Sequence, residues 1–220
     1  MSKSNDKPTK ITVYLFKSLY EKIDAQLSSA LLRRDAFLDR VIATEIPHLR
    51  EDLAGRRLSK AAHQYISRRL GKTRATDNRD DNPRWPVSIA VSRATADALE
   101  AVVKEHNLVR DAFIHRLIVL LRSTDKTLEA FDLPTRIESQ RRDGTEDMPT
   151  GPLRAIEEAQ MDPFYYLRAA CNEKHDCGLY ALPLPSKYDF MACYLPDEDV
   201  PGTPEHDAKQ KLSDQLMMSL

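Results

Sequence analysis

The chain carries one pattern twice, 76 positions apart. The alternating segment Ile11–Leu15 recurs without a gap as Val87–Val91. Further along, Arg34–Ile42 aligns with Arg110–Ile118, with six identities in nine positions, and both segments begin with Arg-Asp-Ala-Phe. An internal repeat is the first constraint on a fold, because each copy must then form a similar unit.

Each copy is predicted to be one short strand followed by two helices. Ile11, Val13 and Leu15 alternate with polar residues, which is the period of a strand with one buried face. Helical spacing of apolar residues follows in both copies: Leu19, Ile23 and Leu27 in the first, and Leu99, Val102 and Val103 in the second. A second apolar helix starts near Asp35 or Asp111, and either aspartate would cap it by accepting a bond from a free backbone N–H.

A strand of about five residues and two short helices cannot close a core alone. Two copies can pair their strands antiparallel and pack four helices behind them, which predicts an α+β, mostly α fold. This arrangement resembles the ribbon-helix-helix (MetJ/Arc-type) superfamily and is similar to the tandem ribbon-helix-helix accessory proteins of conjugative plasmids. The resemblance covers roughly residues 9–45 and 85–121. It implies an intramolecular pseudo-dimer that lays its ribbon in the DNA major groove.

The pattern divides the chain into eight segments. These are a flexible arm (1–9), the first copy (10–48), an extra helix or a helix broken near Gly55 (49–70), a linker (71–84), the second copy (85–134), a second linker (135–150), a small α+β C-terminal domain (151–200) and a tail (201–220). The C-terminal domain is predicted to hold helices Pro152–Gln160 and Pro163–Asn172 and strands Leu179–Leu184 and Asp189–Leu195.

The net charge of −1 conceals a strong division along the chain. Residues 1–86 hold 18 Lys or Arg and 11 Asp or Glu, residues 87–140 hold 7 and 8, and residues 141–220 hold 8 and 15. A basic front indicates a polyanionic partner, whereas the acidic rear suits self-association or a protein partner. The extra helix carries a basic run (Arg56, Arg57, Lys60, Arg68 and Arg69) that forms either a solvated face or contacts to flanking phosphates.

The strand faces directed away from the core are the candidate base-reading surfaces. The first strand carries Lys10, Thr12 and Tyr14 there, and the second carries Arg84, Pro86, Ser88 and Ala90. The first set can donate or accept hydrogen bonds at base edges, while the second is smaller and suits a thymine methyl group through Ala90. The sequence therefore predicts an asymmetric reader, with a ribbon that faces protein as the alternative.

The start of the second helix is the other contact that the resemblance implies, since free backbone N–H groups there can meet a phosphate. Arg34 and Arg110 lie at this position, and each is followed by an aspartate, Asp35 or Asp111. A carboxylate there competes with phosphate for the same donors. Each Arg-Asp pair is thus either a phosphate contact or a structural clamp that the fold needs twice.

Signals for enzymatic chemistry are weak, so the chain is predicted to be a non-enzyme without cofactor or metal. The six glycines are scattered, and no nucleophile elbow or paired-carboxylate motif stands out. Cys171, His175, Cys177 and Cys193 are side-chain types that bind zinc, but their spacing differs from that of paired zinc knuckles. The longest apolar run, Leu117–Leu121, is too short for a membrane span, and three cysteines do not suggest a disulfide framework, which predicts a cytoplasmic protein.

Together these patterns predict a sequence-specific double-stranded DNA-binding protein that regulates transcription, such as a repressor of a mobile element or of its own operon. A conjugative relaxosome accessory protein is a close variant. An antitoxin-like or inhibitory module that grips a protein with the same fold is the alternative from another class.

Overall fold

The computed structural model describes residues 8–72, 84–135, 162–185 and 204–218, which contain one two-stranded antiparallel sheet and eight helices. The strands are β1 (Thr9–Phe16) and β2 (Arg84–Val91). The helices are α1 (Lys17–Ser29), α2 (Arg34–Asp52), α3 (Lys60–Lys72), α4 (Arg93–His106), α5 (Arg110–Leu121), α6 (Asp125–Ala130), α7 (Tyr165–His175) and α8 (Pro204–Met218). The predicted α+β, mostly α class is confirmed, with strands longer than the five residues expected.

The register of the two strands follows the sequence repeat. Thr12 pairs with Ser88, its own counterpart 76 positions later, and the neighbouring pairs are Ile11 with Ile89 and Val13 with Val87. The predicted antiparallel pairing is confirmed. The odd-numbered residues Ile11 to Leu15 and Val87 to Val91 are buried, so one face of the ribbon closes the core.

The helices of the two copies are intertwined behind this ribbon. Helix α2 of the first copy packs on β2 and α4 of the second, and helix α5 of the second packs on β1 and α1 of the first. Each strand is thus covered by the second helix of the other copy. Neither copy has a core of its own, which agrees with the small apolar surface that one strand and two short helices can bury.

Both second helices begin where the repeat predicts, at Arg34 and Arg110, but the predicted aspartate caps are wrong. The N-cap positions are Arg33 and Val109, and neither helix has a side-chain cap. Asp35 and Asp111 therefore lie inside the first turn, where their carboxylates are free to bond elsewhere. Helix α4, in contrast, is capped by Ser92, whose hydroxyl accepts from the backbone N–H of Thr95 at 3.1 Å.

The segment between the copies is a broken helix, as one of the two alternatives predicts. Helix α2 runs to Asp52, Gly55 adopts φ +73° in the loop, and α3 follows. The loop covers the C-terminal end of α4: the Leu58 N–H donates to the His106 carbonyl at 2.9 Å, and Arg57 donates to the Glu105 carbonyl at 2.8 Å. A cation at the last carbonyls of a helix is stabilising, so Arg57 has a structural role within the basic run.

The described part of the C-terminal segment, residues 162–185, packs into the same hydrophobic core as the repeats. A buried polar network fixes it to α2 and α5. Glu45 is fully buried and accepts from the Tyr180 hydroxyl at 2.7 Å and from Arg168 at 2.6 Å. Arg116, 1 % exposed, donates to the Leu179 carbonyl at 2.9 Å.

A second contact holds the turn after α7. The Tyr180 N–H donates to the Asp52 carboxylate at 2.8 Å, and this carboxylate lies so close to Gly178 that a Cβ there would overlap it. A side chain at position 178 would therefore displace the Asp52 carboxylate from its place beside the turn. The C-terminal turn thus sits on the end of α2 through matched polar contacts.

One sequence prediction for this region is wrong. Residues 179–184 form a turn and an irregular segment, not a strand, because their apolar side chains insert into the core instead of pairing with a neighbour strand. The tail, for which no element was predicted, contains α8, whose described side chains are mostly exposed. The helix predicted at 163–172 is confirmed as α7. The expected helix Pro152–Gln160 and strand Asp189–Leu195 lie outside the described residues, as do most of the arm and of both linkers.

Removing the Tyr180 hydroxyl should destabilise the whole fold. Tyr180→Phe leaves one buried Glu45 oxygen without its donor, and we expect the free energy of unfolding to fall by about 1–3 kcal/mol. Tyr165→Phe is the control, because Tyr165 is 56 % exposed, and it should change stability by less than about 0.5 kcal/mol. Urea unfolding followed by circular dichroism measures both; equal small shifts would contradict the network's role.

Candidate nucleic-acid interface

The ribbon face directed away from the core is open to solvent over most of its length. Lys10, Thr12 and Ser88 are exposed, while Tyr14 and Ala90 are half-buried. The hydroxyl oxygens of Thr12 and Ser88 lie 3.5 Å apart at the centre of the face. The exposed Pro86 lies on the same face, so the structure brings six of the seven predicted strand residues together on one surface. Neither strand contains an acidic residue.

The strand register arranges this face in three rows. Lys10 lies opposite Ala90, Thr12 opposite Ser88, and Tyr14 opposite Pro86. Pro86 interrupts no ladder bond, because the N–H of its partner Tyr14 points away from β2, as in a non-hydrogen-bonded antiparallel pair. Each row thus presents a different pair of side chains to solvent.

Arg84 does not lie on the exposed face, and its predicted position is wrong. Its side chain is 5 % exposed; the guanidinium group lies 4.3 Å from the centroid of the Phe16 ring and donates to the Tyr14 carbonyl at 3.4 Å. Phe16 is the strand partner of Arg84, so the ring supplies a cation–π surface directly opposite. Burial lowers the pKa of Arg84 to about 10, which leaves it charged at neutral pH.

Arg110 and Asp111 hold the outer edge of β1. Arg110 donates to the Thr12 carbonyl at 2.7 Å, and the Asp111 carboxylate accepts from the Tyr14 N–H at 3.0 Å. A two-stranded ribbon has two free edges whose backbone groups point outward, and these bonds satisfy two of them. The pair acts on the strand of the other copy.

Arg34 makes the matching contact on the other edge. Its guanidinium group donates to the Ser88 carbonyl at 3.4 Å, which is the Arg110–Thr12 bond displaced by the repeat. It also pairs with Asp35 at 2.7 Å and with the Tyr20 hydroxyl. These contacts within the chain are the ones expected if the Arg-Asp pair is a structural clamp. Phosphate binding by Arg34 or Arg110 stays a prediction.

Two residues that sequence reasoning missed lie at one end of the ribbon. Trp85 is 49 % exposed, and the Lys17 ammonium lies 4.6 Å from the centroid of its ring. Trp85 pairs with the buried Leu15, so it belongs to the core-facing side and lies at its margin, next in sequence to Pro86 of the outward face. The only signal in the sequence is that Trp85 is the single tryptophan of the chain, immediately before the second alternating segment.

The side chains weighed as zinc ligands have other partners or environments. The His175 ring is hydrogen-bonded to the Asp132 carbonyl at 3.0 Å, and burial raises the pKa of the Cys171 thiol to about 12. Cys193 lies outside the described residues. Among the described residues, no group of three or more His, Cys, Asp or Glu side chains is placed to hold a metal ion.

A cleft of about 700 Å³ lies between the end of α2 and α7. Asp52, Asp162, Arg168 and Asp176 are among its lining residues. Arg168 already pairs with Glu45 and Asp162, and burial raises the pKa of Asp52. The cleft therefore belongs to the polar contacts that seat the C-terminal segment.

Comparison of the chain with protein-family models, with curated proteins and with solved structures gives no match. Within the described part of the chain, no helix combines the length and apolar character needed to cross a bilayer.

The edge contact of Arg110 should contribute measurably to stability. Arg110→Ala removes the donor to the Thr12 carbonyl, and we expect a loss of about 1 kcal/mol in the free energy of unfolding. Arg93→Ala is the matched control, since the Arg93 side chain is 72 % exposed and its i,i+4 pair with Asp97 is worth only about 0.3–0.5 kcal/mol. Chemical denaturation compares the two; an Arg110 variant as stable as the Arg93 variant would exclude the clamp.

His115 should make the fold sensitive to acid. It is 2 % exposed beneath Phe16, and burial together with the charge of Arg84 lowers its pKa to about 3. The unfolded chain therefore binds a proton below pH 6.5 that the folded chain does not, so stability is lost as the pH falls from 6.5 towards 3. Between pH 6 and pH 4 the wild type should lose about 1.4 kcal/mol per pH unit more than His115→Leu. Parallel pH dependences would refute a buried neutral histidine.

Proposed function

We propose that this chain is a sequence-specific double-stranded DNA-binding protein that regulates transcription. In this proposal the exposed ribbon face enters the major groove, and the two halves form an intramolecular pseudo-dimer of ribbon-helix-helix units. The observation that carries the proposal is the ribbon face itself: exposed Lys10, Thr12 and Ser88 side chains, and strands without a single carboxylate.

The dimensions of the ribbon suit the major groove. Two antiparallel strands lie about 4.8 Å apart, and the groove is about 12 Å wide, so a ribbon with its side chains fits within it. Outward residues such as Lys10, Thr12 and Tyr14 recur about every 6.8 Å, which is close to two base-pair steps of about 3.4 Å. Successive outward side chains can thus meet successive parts of one site.

The pseudo-dimer is supported by the pairing of equivalent groups across the ribbon. Thr12 lies opposite its counterpart Ser88, and the bonds Arg34–Ser88 and Arg110–Thr12 exchange when the copies are exchanged. A dimer of two separate chains would show the same reciprocal contacts. One chain thus supplies both strands of a complete ribbon.

The division of charge along the sequence supports a polyanionic partner for the front of the chain. The first 86 residues carry the excess of Lys and Arg, and the acidic excess lies beyond residue 140. We assign self-association or partner binding to the rear. Helix α8 leaves Leu212 and Met217 exposed by 60 % and 74 %, and we assign these side chains to that contact.

A protein-interaction module is the second candidate function. It is favoured by the apolar side chains at one end of the ribbon, Trp85 and Pro86, and by the occupation of Arg34 and Arg110 in contacts within the chain. Trp and Tyr are enriched at the centres of protein interfaces. Such an antitoxin-like or inhibitory chain would co-purify with a protein and would not be retained on heparin.

Substitution of the central donors tests the proposed function. The DNA is selected from a random duplex library with the full chain, and affinity is measured by fluorescence anisotropy with excess random competitor. Lys10→Ala and Thr12→Ala should each weaken binding by about 1–3 kcal/mol and relax base preference. Lys126→Ala is the control, because Lys126 is exposed on α6, beyond the end of α5 that lies far from the ribbon.

The salt dependence and the location of the site complete the test. Each phosphate contact should steepen the fall of log K with log salt by about 0.9, so specific binding should weaken sharply as salt increases. Binding that random competitor abolishes would refute a sequence-specific reader and favour the protein-interaction module. Footprints at a promoter would support transcriptional regulation, whereas footprints at a transfer origin would indicate the relaxosome role.

A further inference from the structure

The two ends of the ribbon face are chemically different. At one end Lys10, with a flexible ammonium group, lies opposite the methyl side chain of Ala90. At the other end Tyr14 lies opposite Pro86. We name these the Lys10 end and the Pro86 end. Between them the hydroxyls of Thr12 and Ser88 form a central row that is nearly symmetric.

The Lys10 end suits guanine. Lysine has three N–H donors and no acceptor, and in the major groove guanine presents two acceptors, O6 and N7. Lys10 is exposed, and its neighbour Ala90 is too short to reach a base edge in its place. Adenine offers N7 next to a donor, so it is a poorer match for an ammonium group.

The Pro86 end suits thymine. Pro86 is exposed and has neither a side-chain donor nor a backbone N–H, and it lies opposite the aromatic residue Tyr14. Apolar side chains in the major groove contact the C5-methyl group of thymine. A guanine O6 or N7 beneath Pro86 would lose its water without gaining a donor from that residue.

Exchange of the two strands does not restore this surface. The repeat makes Lys10 equivalent to Pro86 and Tyr14 equivalent to Ala90, so a half-turn about the centre places an ammonium group where a proline ring was. On a given DNA site the reversed orientation would set Lys10 over thymine methyl groups and Pro86 over guanine. The bases at both ends of the site would then face unsuitable side chains.

We propose that the ribbon reads a non-palindromic DNA site in one orientation. The half of the site under the Lys10 end contains guanine, and the half under the Pro86 end is rich in thymine; these halves are called the arms of the site. This inference rests on the proposed function and adds the base class of each arm. A cation near the Pro86 end fits a flanking phosphate on that side: the Lys17 ammonium lies 4.6 Å from the ring centroid of Trp85, the residue before Pro86.

Base analogues placed in one arm at a time test the proposal on the selected site. Replacing guanine by 7-deazaguanine removes the N7 acceptor, and replacing thymine by uracil removes the methyl group. We expect the first change to weaken binding about five- to hundredfold in one arm only and the second to weaken it in the opposite arm only. Lys10→Ala should abolish the response to 7-deazaguanine, and Lys126→Ala should preserve it.

A gain-of-function variant makes the assignment directional. Pro86→Lys places a second ammonium group at the position equivalent to Lys10, without loss of a ladder bond, and selection with this variant should yield guanine in both arms. A palindromic site for the wild type, with equal losses in both arms, would overturn the oriented reader and leave the proposed function intact. Absence of any competitor-resistant binding would instead overturn the proposed function.

Discussion

The fold depends on how the two edges of the ribbon are satisfied, since within the described residues each strand pairs only with the other. Each edge presents outward N–H and C=O groups that need partners. Here the partners are side chains at the start of the second helices: Arg110 and Asp111 bond the edge of β1, and Arg34 bonds the edge of β2. These contacts cross from one copy to the other, and so does the packing of α2 on β2 and of α5 on β1. The ribbon and the helix pairs therefore stabilise each other, and one copy would lack both edge partners and core.

The same constraint explains which parts of the repeat are alike and which differ. The Arg-Asp-Ala-Phe segment is identical in both copies, and in both its arginine bonds a strand edge of the other copy, although Phe113 is fully buried and Phe37 only half-buried. The outward residues do not touch the core, so Lys10 and Tyr14 in one strand correspond to Pro86 and Ala90 in the other. The structure demands similarity at the helix starts and leaves the exposed face free to become asymmetric.

Much of the repeat could be predicted from sequence, because periodicity reports burial. The alternation from Ile11 to Leu15 gave the strand and its inner face, and the helix starts followed from the repeated motif. Arg84 occupies a strand position whose side chain should point outward, but a cation–π contact with Phe16, its partner 68 positions away, buries it. Alternation along the sequence could therefore not predict its position. The strand expected at residues 179–184 failed for a related reason: an apolar run can pair with a strand or insert into a core, and only the tertiary environment decides.

The buried network of Glu45, Arg168 and Tyr180 shows how the C-terminal segment is joined to the ribbon. Glu45 and Arg34 lie on the same helix, α2, so the helix whose start holds the edge of β2 also carries, three turns later, the carboxylate that anchors Tyr180. Removing either partner of Glu45 would leave a buried carboxylate oxygen without its donor, so the network favours the seated segment only when both bonds are made. Because α2 runs from Arg34 to Asp52, one helix carries the contact to the edge of β2 at its start and the contacts to the C-terminal segment at Glu45 and Asp52.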